Sequence, residues 1–198
     1  LNVNATGGAD AFLVSLAGAS GSVWFASAWG GTGLEEGKRV YIDGSGNSYV
    51  VGEYNGIIDL DPSAASSIFT CSGVTDCFIT KLDNTGAYQW GGTWGGSLAE
   101  TVHDMCADNL GNLYLTGDFS GTADFDPSAG VASATATGST DMYIVKLNNT
   151  GTYQWTYKTG GATTNVSGYG ICVTSDYKLY NVGVFKSTVD FDPGATTV

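Results

Sequence analysis

The sequence predicts an all-β fold of β-propeller blades, each a four-stranded antiparallel sheet recurring about every 66 residues. Three observations carry the prediction. The chain repeats itself three times along its length. Its apolar residues alternate in short runs of strand type, with no sustained helical period. Its 30 glycines cluster with Asn, Asp, Ser and Thr between those runs, as tight turns require.

The repeat is read directly from the residues. Asp10-Ala-Phe-Leu-Val-Ser-Leu16 matches Asp76-Cys-Phe-Ile-Thr-Lys-Leu82 and Asp141-Met-Tyr-Ile-Val-Lys-Leu147. Ala19-Ser-Gly21, Asn84-Thr-Gly86 and Asn149-Thr-Gly151 follow, then Trp24, Trp90 and Trp155, then the pairs Gly30-Gly31, Gly95-Gly96 and Gly160-Gly161. In the second half, Asp43-Gly-Ser-Gly-Asn-Ser-Tyr49 matches Asp108-Asn-Leu-Gly-Asn-Leu-Tyr114, with a degenerate third copy at Thr174–Tyr180. Gly52, Gly117 and Gly183 align, and Asp59-Leu-Asp-Pro62, Asp124-Phe-Asp-Pro127 and Asp190-Phe-Asp-Pro193 close the copies. The repeats run over residues 1–62, 63–127 and 128–193 of a single repeat region, 1–198.

Each copy carries four strand signals, in the second copy Asp76–Leu82, Tyr88–Trp94, Thr101–Ala107 and Asn112–Asp118. Asp76–Leu82 is apolar on both alternating sets: Phe78 and Leu82 on one face, Cys77 and Ile79 on the other. A strand apolar on both faces is buried on both faces, which is the environment of a sheet stacked between two similar sheets. Asn-Thr-Gly and Asp-Gly-Ser-Gly-Asn are hairpin turns, in which Gly supplies positive φ and Asp or Asn bonds nearby amides. The recurring Trp is expected to anchor packing between neighbouring blades, with a row of sugar-stacking platforms as the other reading. The residues after each Asp-Pro, 63–75 and 128–140, exceed a compact blade and are expected to form a loop or an added hairpin.

The pattern Asp-x-Phe-Ile-x-Lys-Leu, Asn-x-Gly, Trp, Gly-Gly, Asp-x-x-Gly-Asn-x-Tyr and Asp-Phe-Asp-Pro resembles the SBBP repeat, a bacterial β-propeller repeat family. The resemblance covers essentially the whole chain, is strongest in the second copy and weakest around Ser175–Lys178. It implies a secreted or cell-surface bacterial protein, similar to large Bacteroidetes surface proteins. It brings no catalytic motif.

The copies are cut within the repeat, so the chain is expected to hold two whole blades flanked by two complementary half-blades. Three blades are too few for a ring, which typically has about four to eight. Half-blades leave unpaired strand edges, and such edges recruit partners. The expectations are a piece of a longer protein, two chains closing a ring head to tail, or an open filament. The N-terminus lacks a Met and the basic and apolar segments of a signal peptide, so the chain reads as a mature or excised piece.

Charge and composition narrow the partners. With 19 acidic and 7 basic residues the net charge is −12, which repels phosphate backbones and excludes nucleic-acid binding as a leading reading. No segment approaches the roughly 18 apolar residues of a membrane helix, so membrane insertion is not expected. Protein–protein contact, with self-association or with neighbouring repeats, is the expected partnership, with a glycan as the alternative.

Candidate chemistry is sparse, and no catalytic or cofactor-binding residue is assigned. His103 has no counterpart in the other copies and reads as a surface or edge residue. Gly31–Lys38 has the wrong glycine spacing for a phosphate loop, and Arg39 stands where Ser or Thr is required. Glu35-Glu36 reads as a solvated turn. Cys71 and Cys77 bracket a five-residue turn and are either a disulfide or two buried free thiols. Cys106 and Cys172 occupy equivalent positions and read as buried thiols. The pairs Asp59/Asp61, Asp124/Asp126 and Asp190/Asp192 put two carboxylates on one side of an extended chain. They either cap the turn before Pro or hold Ca²⁺. The functional expectation is a non-catalytic structural or adhesive module; the alternatives are a lectin-like ligand-binding propeller and an accessory propeller of a larger extracellular enzyme.

Overall fold

In the computed structural model the described residues are 2–163 and 165–192, and they form sixteen strands and no helix. In chain order these are β1 (Ala11–Leu16), β2 (Val23–Trp29), β3 (Glu35–Ile42), β4 (Ser48–Tyr54), β5 (Ile57–Asp59), β6 (Ile68–Thr70), β7 (Asp76–Leu82) and β8 (Tyr88–Gly96). They continue as β9 (Glu100–Ala107), β10 (Leu113–Phe119), β11 (Thr122–Asp124), β12 (Ser133–Thr135), β13 (Asp141–Leu147), β14 (Tyr153–Thr159), β15 (Val166–Val173) and β16 (Leu179–Phe185).

Two complete four-stranded antiparallel blades result. The first is β3-β4-β7-β8 and the second β9-β10-β13-β14. The hairpins β1-β2 and β15-β16 stand apart as two-stranded sheets, the last half of one blade and the first half of another. The fold is therefore all-β and propeller-like, with two whole blades between two half-blades.

The doubly apolar strand behaves as its sequence dictates. Cys77 and Ile79 of β7 lie in the core shared with the second blade, among Val102, Leu113 and Val145. Phe78 and Leu82 lie in the core shared with β1 and β2, with Ala11 and Trp29. A third core joins Tyr114, Met142 and Ile144 of the second blade to Val166 and Ile171 of β15. Each core is thus an interface between consecutive blades. A fully buried aliphatic or aromatic side chain contributes roughly 1.5–3 kcal/mol, so stacking against a neighbour is what holds a blade in place.

The extra length around Asp61-Pro62 and Asp126-Pro127 is an added hairpin, with one arm before the Asp-Pro and one after it, and it does not extend its own blade. Hairpin β11-β12 crosses to the preceding blade, pairing Ala123 with Gly96 and Asp124 with Gly95 of β8. Hairpin β5-β6 makes the same crossing toward β2, through the bridge Gly31–Ile58 and the bond from the Asp59 amide to the Gly30 carbonyl at 3.2 Å. Residues 186–192 repeat it along β14, where the Tyr157 hydroxyl donates to the Phe191 carbonyl at 2.8 Å and Thr159 to the Asp190 carbonyl. Each insertion is a clasp between consecutive blades. The second glycine of the pair is what admits it: a Cβ at Gly96 would strike the Thr122 carbonyl and one at Gly31 the Ile57 carbonyl, whereas one at Gly95 would strike the Asp76 carboxylate of its own blade.

The Trp series needs a correction. Trp90 lies opposite Lys81, and Trp155 opposite Lys146, but the residue opposite the equivalent Ser15 is Phe25. The first-copy turn closes from Ala17 to Ser22, whereas the second closes from Asp83 to Ala87, so it is one residue longer and shifts the register. Trp90 packs against Gly151 of the next blade and Phe25 against Gly86, the same anchoring role. Trp24 is displaced to the open face and is 71% exposed.

Candidate functional site

The aspartate pairs sit where the chain leaves β5, β11 and the third crossing segment. Asp59 Oδ1 accepts the amides of Asp61 at 3.0 Å and Ser67 at 2.8 Å. Asp124 Oδ1 accepts those of Asp126 at 3.1 Å and Ala132 at 2.7 Å. Asp190 Oδ1 accepts the Asp192 amide at 2.9 Å. Asp61 and Asp126 cap one step further on, at the amides of Ser63 and Ser128, both 2.9 Å. The first carboxylate of each pair thus caps the turn, and in the first two copies it also ties the turn to the hairpin's returning arm. Among the described residues no three His, Cys, Asp or Glu side chains converge to hold a metal ion.

The cysteine pair is placed apart. Cys71 donates to the Gly73 carbonyl at 3.4 Å beside the core shared with β1 and β2; Cys77 lies in the other core, 3.9 Å from the Tyr143 hydroxyl. Both are free thiols here, the second of the two sequence readings, although Cys71 is only partly buried; the two side chains enter different blade interfaces. Burial pushes the Cys106 thiol up to about 12, with Asp104 adding to the shift. Its counterpart Cys172 is exposed, contrary to the reading of both as buried.

His103 is half-buried between the second blade and β15. Its Nε2 lies 3.0 Å from Asp118 Oδ2 and 3.3 Å from Thr101 Oγ1, and its ring meets the Tyr169 ring edge-on at 5.0 Å. Hydroxyl–base–carboxylate catalysis needs the carboxylate on one ring nitrogen and the hydroxyl on the other. Here one nitrogen faces both, so the cluster does not have that arrangement.

Sequence reasoning missed a repeated buried acid. Glu35, read as a solvated turn, heads β3 and is 3% exposed; Glu100, its counterpart, heads β9 and is wholly buried. Glu100 Oε2 accepts the Gly96 amide at 2.8 Å. Burial, reinforced by Asp10 in one case and Asp76 in the other, raises both carboxyls to about 7. Val166 takes this place in the third copy, opposite Phe185 as Glu100 is opposite Phe119. The recurrence at Glu35 and Glu100, with offset 65, was the available signal.

The remaining feature is the open strands. Phe12, Val14 and Leu16 of β1 are exposed although their counterparts in β7, Phe78, Thr80 and Leu82, are fully buried. Tyr180, Val182 and Val184 of β16 are exposed, as are Val40 and Ile42 of β3. A cavity of about 370 Å³ opens between β1 and β3, lined by Leu13, Val14, Trp24, Val40, Ile42 and Asn84.

No family model matches the chain, so the SBBP resemblance stands on its motif residues alone. The chain is similar to an uncharacterised WD repeat-containing protein of Acanthamoeba polyphaga mimivirus, 24% identical over 158 residues. The match covers 68% of this chain and 11% of that protein, so the chain spans about a tenth of its relative's length. A WD repeat is a propeller blade of four strands, which agrees with the blades seen here and makes this a repeat-built, β-rich chain of propeller-like fold.

Proposed function

We propose that the chain is a non-catalytic structural and adhesive module of a secreted or cell-surface bacterial protein, acting through protein contacts at its open strand faces. The carrying observation is the contrast between Phe12, 66% exposed, and its counterpart Phe78, 0% exposed. Clustered apolar surface of this kind marks a protein interaction site. The chemistry-bearing residues support the same reading. The aspartate pairs cap turns and His103 fills a blade interface. The bacterial surface setting rests on the motif resemblance. The test is binding of a hydrophobic fluorescent dye such as bis-ANS to the native chain, compared with Phe12→Asp and Val182→Asp. Strong binding to the dilute, monomeric chain that weakens in both variants supports the reading; absence of binding to the native monomer overturns it.

A glycan is the second reading, favoured by the exposed Trp24 indole beside Asn84. Sugar-dependent quenching of Trp fluorescence, lost in Trp24→Ala, tests it. Calcium at the aspartate pairs is a further proposal, tested by the melting temperature of chelator-treated protein with and without added Ca²⁺.

A further inference from the structure

We infer that the open edge of β16 takes the open edge of β1 from a second copy of this chain, so that β15-β16 and the partner's β1-β2 make one composite blade. The inference rests on the interaction-module reading and names its partner. Two blades of the same chain already contain the joint. In the first blade β4 pairs with β7, Ser48 opposite Leu82, Gly52 opposite Phe78 and Tyr54 opposite Asp76. In the second, β10 pairs with β13 in the same register, Leu113 opposite Leu147 and Phe119 opposite Asp141. β16 is the repeat equivalent of β4 and β10, and β1 that of β7 and β13; among the described residues neither has that neighbour.

The template sets the register. Leu179 lies opposite Leu16 of the second copy, Asn181 opposite Val14, Gly183 opposite Phe12 and Phe185 opposite Asp10. A slip of one residue would turn every apolar side chain to the wrong face.

The faces agree with the edges. In the intact joint between the two blades, Tyr49 and Val51 of β4 share a core with Met105 of β9, and Ala107 packs against it. Tyr180 and Val182 are the counterparts of Tyr49 and Val51; Val40 and Ile42 are those of Met105 and Ala107. All four are exposed here, Val182 at 68% against 0% for Val51. The composite blade lays Tyr180 and Val182 onto Val40 and Ile42 of the second copy, over the mouth of the cavity between β1 and β3. In the same step it turns Phe12, Val14 and Leu16 of that copy toward Met142 and Ile144 of the first. One rigid contact therefore covers both sets of exposed residues, an edge-plus-face match that an unrelated apolar partner would not supply. The contact is head to tail, so it repeats until it closes or runs on as a filament.

The experiment uses the native chain. Light scattering across a concentration series is expected to show oligomers in whole multiples of the chain mass. Val182→Asp and Phe12→Asp, checked for a native circular-dichroism spectrum, are each expected to weaken association by about tenfold or more. In a Cys172→Ser background, an Asn181→Cys copy mixed with a Val14→Cys copy is expected to form an intermolecular disulfide, and the mixture with Leu13→Cys, one residue out of register, is not. That crosslink keeps the inference testable if the aspartate variants fail to fold. A strict monomer that still binds bis-ANS overturns the second-copy inference and leaves the interaction reading standing. A monomer that does not bind it overturns both. Crosslinking in the shifted register overturns the composite blade.

Discussion

Lys158 on β14 places its ammonium 3.2 Å from Oδ2 of Asp141, whose side chain is completely buried at the head of β13. In the earlier copies the position of Lys158 is held by Thr93 and Ala28, opposite Phe78 and Phe12. There the equivalent aspartates, Asp76 and Asp10, face buried Glu100 and Glu35, and here Val166 stands in their place. The third copy has exchanged a carboxylate pair for an ion pair at the same corner.

Removing one partner of a buried pair strands the other charge. Lys158→Met is expected to lower stability by about 1–3 kcal/mol, less than for a wholly buried pair because the lysine is a third exposed to solvent. Urea denaturation of the variant checks this.

The carboxylate pairs give the opposite dependence on pH from that of a salt-bridged acid. Glu100 is raised from 4.5 to about 7, so the folded state holds a proton that the unfolded state has released. Stability is therefore full below the unfolded value, falls as pH rises from about 4.5 to 7, and levels off beyond. Glu100→Gln keeps the acceptor for the Gly96 amide and removes the charge. It is expected to raise stability at pH 8 by on the order of 1–2 kcal/mol and to flatten the profile between pH 4.5 and 7. Thermal melts across that range measure both.

Tyr143 joins the two whole blades through its hydroxyl. It donates to the Thr101 carbonyl at 2.8 Å and accepts from Trp94 Nε1 at 3.2 Å, with the ring fully buried. Tyr143→Phe leaves both partners unpaired in the core and is expected to cost about 1–3 kcal/mol. Denaturation with circular dichroism and Trp fluorescence as separate probes reads the loss.

The degenerate turn of the third copy carries a local strain. Gly46 and Gly111 adopt φ of +82° and +79°, and Tyr177 occupies the same position at +64°. The Thr174 hydroxyl replaces the Asp43 and Asp108 carboxylates as acceptor for the amide four residues on, at 3.0 Å. The left-handed conformation costs a non-glycine residue roughly 1–2 kcal/mol, and glycine loses part of that to chain entropy. Tyr177→Gly is therefore expected to stabilise the protein by about 0.5 kcal/mol, read as a higher melting temperature.

The blades were legible in the sequence because their signals are local. β7 shows its two buried faces in seven consecutive residues, and the boundaries expected in the second copy lie within two residues of the observed ones. What escaped was set by tertiary neighbours. Glu35 looks solvated until β1 and Asp10 are packed over it. Trp24 keeps the spacing of Trp90 in the alignment, but one extra turn residue moves it to the other face. Cys71 and Cys77 are close in sequence and separate only because a clasping hairpin carries one thiol into the preceding interface. The added hairpin was foreseen as an alternative to a loop; that it docks on the preceding blade depends on the space left by Gly96.

The central claim is that a strand in this chain is protected only where a blade completes its edge and covers its faces. Amide hydrogen exchange at dilute and concentrated protein tests it most directly. β7 and β13 are expected to exchange slowly at every concentration, while β1 and β16 exchange fast when dilute and become protected together as concentration rises. Equal protection of β1 and β7 in the dilute monomer, or fast exchange of β7, would contradict the account.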